Sequence, residues 1–174
     1  SMASLTILGA PDLVLLTASE LVQQAQRICR ATNIPLLVDG DHGYGNALNV
    51  GRTIEELANV GVAAATIEDT ILPTPFGGAG NNALISPEEG AGKMRAAVAA
   101  RPDKSFVVIG RTNAGSTSLE DAIRRLRLYE QAGVDALFIV GLKSVADLSA
   151  IAGATTLPLI LANIPLELES ADLS

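Results

Sequence analysis

Two carboxylates two residues apart, Asp39 and Asp41, close an apolar stretch in the segment VDGDHGYGN, Val38 to Asn46. Held close and ionised, they repel each other unless a cation or a proton sits between them. A second acidic pair, Glu68-Asp69, ends another apolar run, and neighbouring strands of a sheet lie only about 4.8 Å apart. The two pairs could then share one ion. An all-oxygen donor set selects a hard cation, Mg2+ or Mn2+, over zinc. The glycines at 40, 43 and 45 let the chain turn sharply there and approach a ligand closely. Arg111 follows a third apolar run in VVIGRTNAG and offers a two-pronged clamp for a carboxylate or phosphate. A polar turn with capping aspartates, and a structural ion pair for Arg111, are the plainer alternatives. His42, the only histidine, could exchange protons near neutral pH or simply orient the loop. Cys29 falls on an apolar helical face as a small core hydrophobe. Arg124, Arg125 and Arg127 read as a solvated helix face.

These groups need strands to carry them. Short runs rich in Val, Ile and Leu begin at Leu36, Ala63, Phe106, Ala136 and Leu159 and predict strands over Leu36–Asp39, Ala63–Ile67, Phe106–Ile109, Ala136–Val140 and Leu159–Ala162. Helical periodicity fills the intervals, over Ser19–Ala31, Thr53–Val60, from Ser86-Pro87-Glu88-Glu89 onward, and over Ser118–Ala132. Ser86 has the character of a cap with proline at the first helical position, and Gly61 and Gly133 of C-terminal caps. A weak internal repeat, NVGVAAATIED against QAGVDALFIVG, supports the same alternation. Apolar strands alternating with helices make a parallel sheet covered by helices. Polar or glycine residues end nearly every strand: Asp39 and Asp41, Glu68 and Asp69, Arg111 and Asn113, Gly141, Asn163. That distribution favours an α/β (β/α)8 TIM-type barrel, whose chemistry comes from several strand ends, over a doubly wound sheet with one switch point.

The 174 residues are short against the roughly 250 of a whole barrel. The expectation is one partial catalytic domain, residues 1–174, carrying about strands 2–7. Such a piece would bare its sheet edges, so it is not expected to melt cooperatively by itself. The segment 72–86, LPTPFGGAGNNALIS, has the make-up of an active-site loop that closes.

Composition narrows the partners. A net charge of −7 repels phosphate backbones and anionic lipid, which speaks against nucleic acid and membrane. No apolar run approaches the roughly 18 residues of a spanning helix, and no signal peptide is visible. The single cysteine fits a reducing compartment, so the expected location is cytoplasmic.

The segments VDGDHGYGNALNV, GVAAATIEDT, ISPEEGAGKMRAA, VIGRTNA and YEQAGVDALFIVG, in this order, resemble the isocitrate lyase / phosphoenolpyruvate mutase superfamily. DHGYGNALNV with IEDTILP is most similar to its oxaloacetate decarboxylase branch. The resemblance implies Mg2+, with Mn2+ possible, bound directly by Asp39, and with its waters held by Asp12, Asp41 and Glu68. It implies that Arg111 binds a substrate carboxylate. Ser1, Met2 and Ala3 align with the strand-end segment whose serine and amides hold an α-keto acid. Catalysis would fall to Arg111, Asp41 and His42, on a small α-keto acid substrate and in a homotetramer. Lyase relatives carry a cysteine in the loop after Glu-Asp, and mutases a lysine; Pro73–Asn82 has no Cys, Lys or His. The implied reaction is therefore decarboxylation of oxaloacetate to pyruvate and CO2 through an enolate, which needs no base for a hydroxyl. Phosphonate-active or 2-hydroxy-diacid chemistry, or a non-catalytic metal-binding barrel, are the alternatives.

Overall fold

Every connection between successive strands of this chain carries a helix, and that dictates the architecture. In the computed structural model, which describes residues 2–76 and 83–165, the strands are β1 Leu37–Asp39, β2 Ala64–Glu68, β3 Val107–Asn113, β4 Ala136–Val140 and β5 Leu159–Ala162. They lie side by side in chain order, all parallel. Parallel neighbours need a crossover, supplied by α3 Ala47–Asn59, α4 Pro87–Ala100, α5 Leu119–Ala132 and α6 Val145–Ala152. Right-handed crossovers in an order that never reverses put every helix on one face. The other face becomes the inside of a curled half-barrel. A doubly wound sheet would reverse its order at a switch point; this one does not, and the fold is a partial TIM-type barrel. Two helices precede it, α1 Met2–Leu8 and α2 Ala18–Ala31.

The caps explain where the helices begin. Ser86 accepts a hydrogen bond from the Glu89 N–H at 3.1 Å, and Gly133 ends α5 at φ 92°. Helix α3 starts six residues before the expected Thr53, because Asn46 caps it: its side chain accepts from the Leu48 N–H while Asn49 accepts from the Asn46 N–H. An Asn–Asn box is not the Ser/Thr…Glu/Gln signature by which such starts are recognised. Helices α1 and α6 were not anticipated, although Ser144 caps α6. Strand β3 runs on to Asn113, past the expected end at Ile109, so Arg111 sits inside a strand rather than after one.

Two apolar layers result. Ile67, Val108, Leu137 and Ile139 face the helices and pack with Ile54, Leu57, Met94, Leu126 and Tyr129. The barrel interior holds a smaller group, Ala64, Ile109 and Ala136, flanked by Val107 and Phe138. Tyr129 fits between α4 and β3 only because residues 90 and 110 are glycines. A Cβ on Gly90 would lie 2.5 Å from its hydroxyl oxygen, and one on Gly110 3.2 Å from its ring. Among the described residues no helix is long and apolar enough to cross a membrane.

Candidate active site

Register brings the polar strand ends together. Glu68 pairs with Arg111 and Arg111 with Phe138, while Asp39 pairs with Thr66. Partners in register project to the same side of a sheet, so Glu68, Arg111 and Phe138 form a row at the C-terminal mouth of the half-barrel. Arg111 Nη1 donates to Asp39 Oδ2 at 2.6 Å, and its Nε lies 3.5 Å from Glu68 Oε2. Its guanidinium carbon is 5.3 Å from the Phe138 ring centre, a cation–π seat that fixes the plane. The Asp39 Oδ1 accepts from the Thr66 hydroxyl at 2.9 Å and from the Asp41 N–H at 3.1 Å. Glu68 accepts from the Thr70 hydroxyl at 2.8 Å. The Arg111 Nε–H is buried and makes no hydrogen bond beyond its long ion-pair contact with Glu68.

The turn after β1 is strained. Asp41 and Tyr44 adopt φ of 49° and 62°, a left-handed conformation costing roughly 1–2 kcal/mol for a side-chain-bearing residue. Such strain gathers at functional sites. Gly43, at φ 75°, admits no side chain, because a Cβ would stand 2.3 Å from Val50.

Charge is concentrated here. Burial first, then Asp39, Glu68 and Asp12, push the Asp41 carboxyl up to about 7. Burial also raises Glu68, with Arg111 opposing. For Arg111, burial works against the charged form, but Glu68 and Asp39 more than offset it. Asp41 thus lies within the field of Asp39, Glu68 and Asp12. No three His, Cys, Asp or Glu side chains among the described residues converge closely enough to cage an ion directly. The acidic cluster itself has the all-oxygen character that suits a hard divalent cation. Larger cavities, of about 490 and 650 Å3, open on the helix layer over Arg52 and Glu56 and over Arg124 and Arg127. Neither reaches Arg111, and chemistry rather than size marks the site.

A family model of phosphoenolpyruvate phosphomutase matches residues 1–174. The chain belongs to the phosphoenolpyruvate phosphomutase family. It is 55% identical over 173 residues to an oxaloacetate decarboxylase of Bradyrhizobium diazoefficiens, covering 99% of this chain and 60% of that protein. It therefore spans about three fifths of the length of the curated relative. Phosphonopyruvate hydrolase in complex with oxalate and Mg2+ superposes with a TM-score of 0.79 at 32% identity, over 92% of this chain and 57% of that one. A 2,3-dimethylmalate lyase of the PEP mutase/isocitrate lyase superfamily superposes at 0.81 and 30%, over 91% and 55%.

Within this phosphomutase-family half-barrel, two sequence expectations are corrected. Asp69 does not share the face of Glu68, because successive strand residues point to opposite sides. It is fully buried under α5, where Oδ2 accepts from Tyr129 at 2.5 Å, Thr112 at 2.9 Å and Arg125 at 3.0 Å. Arg125 is correspondingly not on a solvated face. Only 6% exposed, it also donates to Asp121 at 2.6 Å and to the Ile85 carbonyl at 2.8 Å. The spacing Asp121–Arg125–Tyr129 places all three on one helix stripe, the signal that could have revealed this. Arg124, by contrast, is exposed and paired with Glu88, and Cys29 is half-buried against the core.

Other residues fall as follows. Asp12 lies in the turn between α1 and α2, exposed yet within the field of Asp41. Met2 and Ala3 open α1, whose first N–H groups have no partner within the helix; Ser1 lies outside the described residues. His42 is buried with Nδ1 unbonded. Burial and Lys93 hold its imidazole below the ordinary value, which keeps it neutral at pH 7. It lines a cavity of about 200 Å3 with Asn46, Thr70, Glu89 and Lys93. The base of the 72–86 segment is tied: Ile71 donates to Ala83 at 2.8 Å and Ile85 to Asp69 at 2.9 Å. Residues 77–82 lie outside the described residues, and the expected closure falls on them. Thr66, Thr70, Lys93 and Phe138 were not singled out from sequence.

Proposed function

We propose that the full-length protein is a divalent-cation-dependent carbon–carbon lyase that decarboxylates oxaloacetate to pyruvate and CO2. The observation that carries this is Arg111, a cationic clamp seated at the barrel mouth 2.6 Å from Asp39, inside a cluster of oxygen donors. An α-keto acid presents what such a site accepts: a carboxylate for the guanidinium, and adjacent oxygens for a hard cation. Asp39 is the direct cation ligand in this proposal, with Asp12, Asp41 and Glu68 holding its waters. The ion, Mg2+ or Mn2+, would supply Lewis-acid electron withdrawal while the C3–C4 bond breaks. Arg111 orients the substrate carboxylate, and the Phe138 ring and Glu68 keep the guanidinium from swinging away. The amides of Ser1, Met2 and Ala3 hold the other end of the keto acid. The enolate carbon would take its proton from solvent, since the imidazole of His42, held below its ordinary value by burial and Lys93, is neutral at pH 7 and too weak an acid to supply it. The 55% identity to an oxaloacetate decarboxylase supports the choice of substrate.

Phosphonate chemistry is the second reading, favoured by the superposition on phosphonopyruvate hydrolase. A lysine at the mouth would strengthen it, but the buried Lys93 gives its ammonium to the His42 carbonyl at 2.9 Å, behind the sheet. A substrate panel separates the readings. With Mg2+, oxaloacetate is expected to turn over at least about a hundredfold faster than phosphonopyruvate or a 2-hydroxy diacid, a factor worth roughly 2.7 kcal/mol of barrier. The reverse order would replace the proposal.

Cation binding should depend on pH. Asp41 keeps its proton up to about 7, and a cation must displace it. Calorimetric titration of Mn2+ is expected to weaken by up to about tenfold per pH unit below 7. The stability effect has the opposite sense. A carboxyl raised from its unfolded value of 3.8 binds more protons folded than unfolded between those limits. The cation-free protein should therefore lose stability as pH rises from about 4 to about 7, with Asp41→Asn removing the Asp41 share of that slope and leaving the smaller share of the raised Glu68.

A further inference from the structure

The turn that carries Asp41 is held at four successive carbonyls. That of Gly40 accepts from the Gly43 N–H at 2.9 Å, and that of Asp41 from the Glu68 N–H at 2.8 Å. The His42 carbonyl accepts from Lys93 Nζ at 2.9 Å, and that of Gly43 from the Thr53 hydroxyl at 3.2 Å. Beyond the bond within the turn, the partners come from β2, α4 and α3 in succession. Lys93 is the one charged partner, and it is 3% exposed.

A buried ammonium is costly unless it is paired and hydrogen-bonded. Position 93 lies on the apolar side of α4, next to Met94 and one turn from Ala97, both fully buried. An unbranched apolar side chain would fill that space without the desolvation cost. Burial pushes the ammonium below its ordinary value, with Glu89, Asp69 and Glu68 only partly opposing, yet it spends a bond on a carbonyl 51 residues away in the chain. That carbonyl belongs to the residue after Asp41, whose left-handed backbone would otherwise be free to relax.

We propose that Lys93 is a positioning residue for the cation site: from behind the sheet it fixes the His42 carbonyl, and with it the turn that aims the Asp39 and Asp41 carboxylates. It touches neither substrate nor ion. The inference rests on the cation reading given above and deepens it. It also assigns the cavity behind the strand ends to support of the turn.

The test is Mn2+ binding, by electron paramagnetic resonance, to the full-length protein and to Lys93→Met, Lys93→Gln and Lys93→Arg. Loss of a partner that orients a metal site typically costs 10- to 100-fold in affinity. Lys93→Met is expected to show that loss, with Lys93→Arg recovering part of it and with faster amide exchange over residues 41–43. Should Lys93→Met fail to fold, Lys93→Gln, which keeps a shorter donor, carries the same expectation. Mn2+ affinity within twofold of the unaltered protein, even alongside a lowered melting temperature, would overturn the role of Lys93 and leave the cation reading standing. No Mn2+ binding by the unaltered protein would overturn both.

Discussion

Asp39→Ala is expected to reduce oxaloacetate decarboxylation to the rate of free Mg2+, a loss of about a thousandfold or more. Asp39 is both accessible and engaged on both oxygens. Its side chain is 42% exposed, against 9% for that of Glu68. One oxygen accepts from Thr66 and from the Asp41 backbone, the other from Arg111. Removing the carboxylate takes away the proposed cation ligand and the partner that seats Arg111 at 2.6 Å. Asp39→Asn keeps the shape and loses the charge, and nearly the same loss is expected from it. Unaltered melting in chelator would show that the fold survives. Turnover within tenfold of the unaltered protein would remove Asp39 from the centre of the site.

The second large effect is on stability. Arg125→Met is expected to cost about 3–5 kcal/mol, seen as a fall of roughly 10 °C or more in melting temperature. The substitution leaves Asp69 fully buried without its charged partner, and strips a donor from the Ile85 carbonyl at the base of the 72–86 segment. Tyr129→Phe removes one neutral donor to the same carboxylate and should cost less, about 1–3 kcal/mol. The double substitution Asp69→Asn with Arg125→Met should be markedly less destabilising than the sum of the two, since they act on one network. Simple additivity would mean that the pair is not coupled.

Much of this was legible in the residues. Apolar strand cores marked all five strand starts to within a residue, β4 and β5 with no offset, because strands packed into a helix-covered parallel sheet read as apolar runs. Chain-order pairing then followed from the barrel expectation. The acids at strand ends were legible because carboxylates in such runs have no packing reason to be there. Which way each points was not read correctly for Asp69. Period-two alternation was available, but two adjacent acids invite being treated as one feature. Arg125 and Lys93 were missed for another reason. Both are long cations on helices, where solvation is the ordinary fate, and only tertiary contacts from distant segments reveal them as buried. Helix α3 began early because an Asn pair capped it, and α6 is only 8 residues long, too short for its period to stand out.

The most direct measurement is oxaloacetate loss and pyruvate formation by the full-length protein with Mg2+, run beside a metal-only blank, since free metal ions also decarboxylate oxaloacetate. Saturable pyruvate formation well above the blank, abolished by EDTA and restored by Mg2+, is the predicted result. No rate above the blank, with the protein folded and Mg2+ in excess, would contradict the assignment of the Asp39–Arg111 cluster as a decarboxylase site.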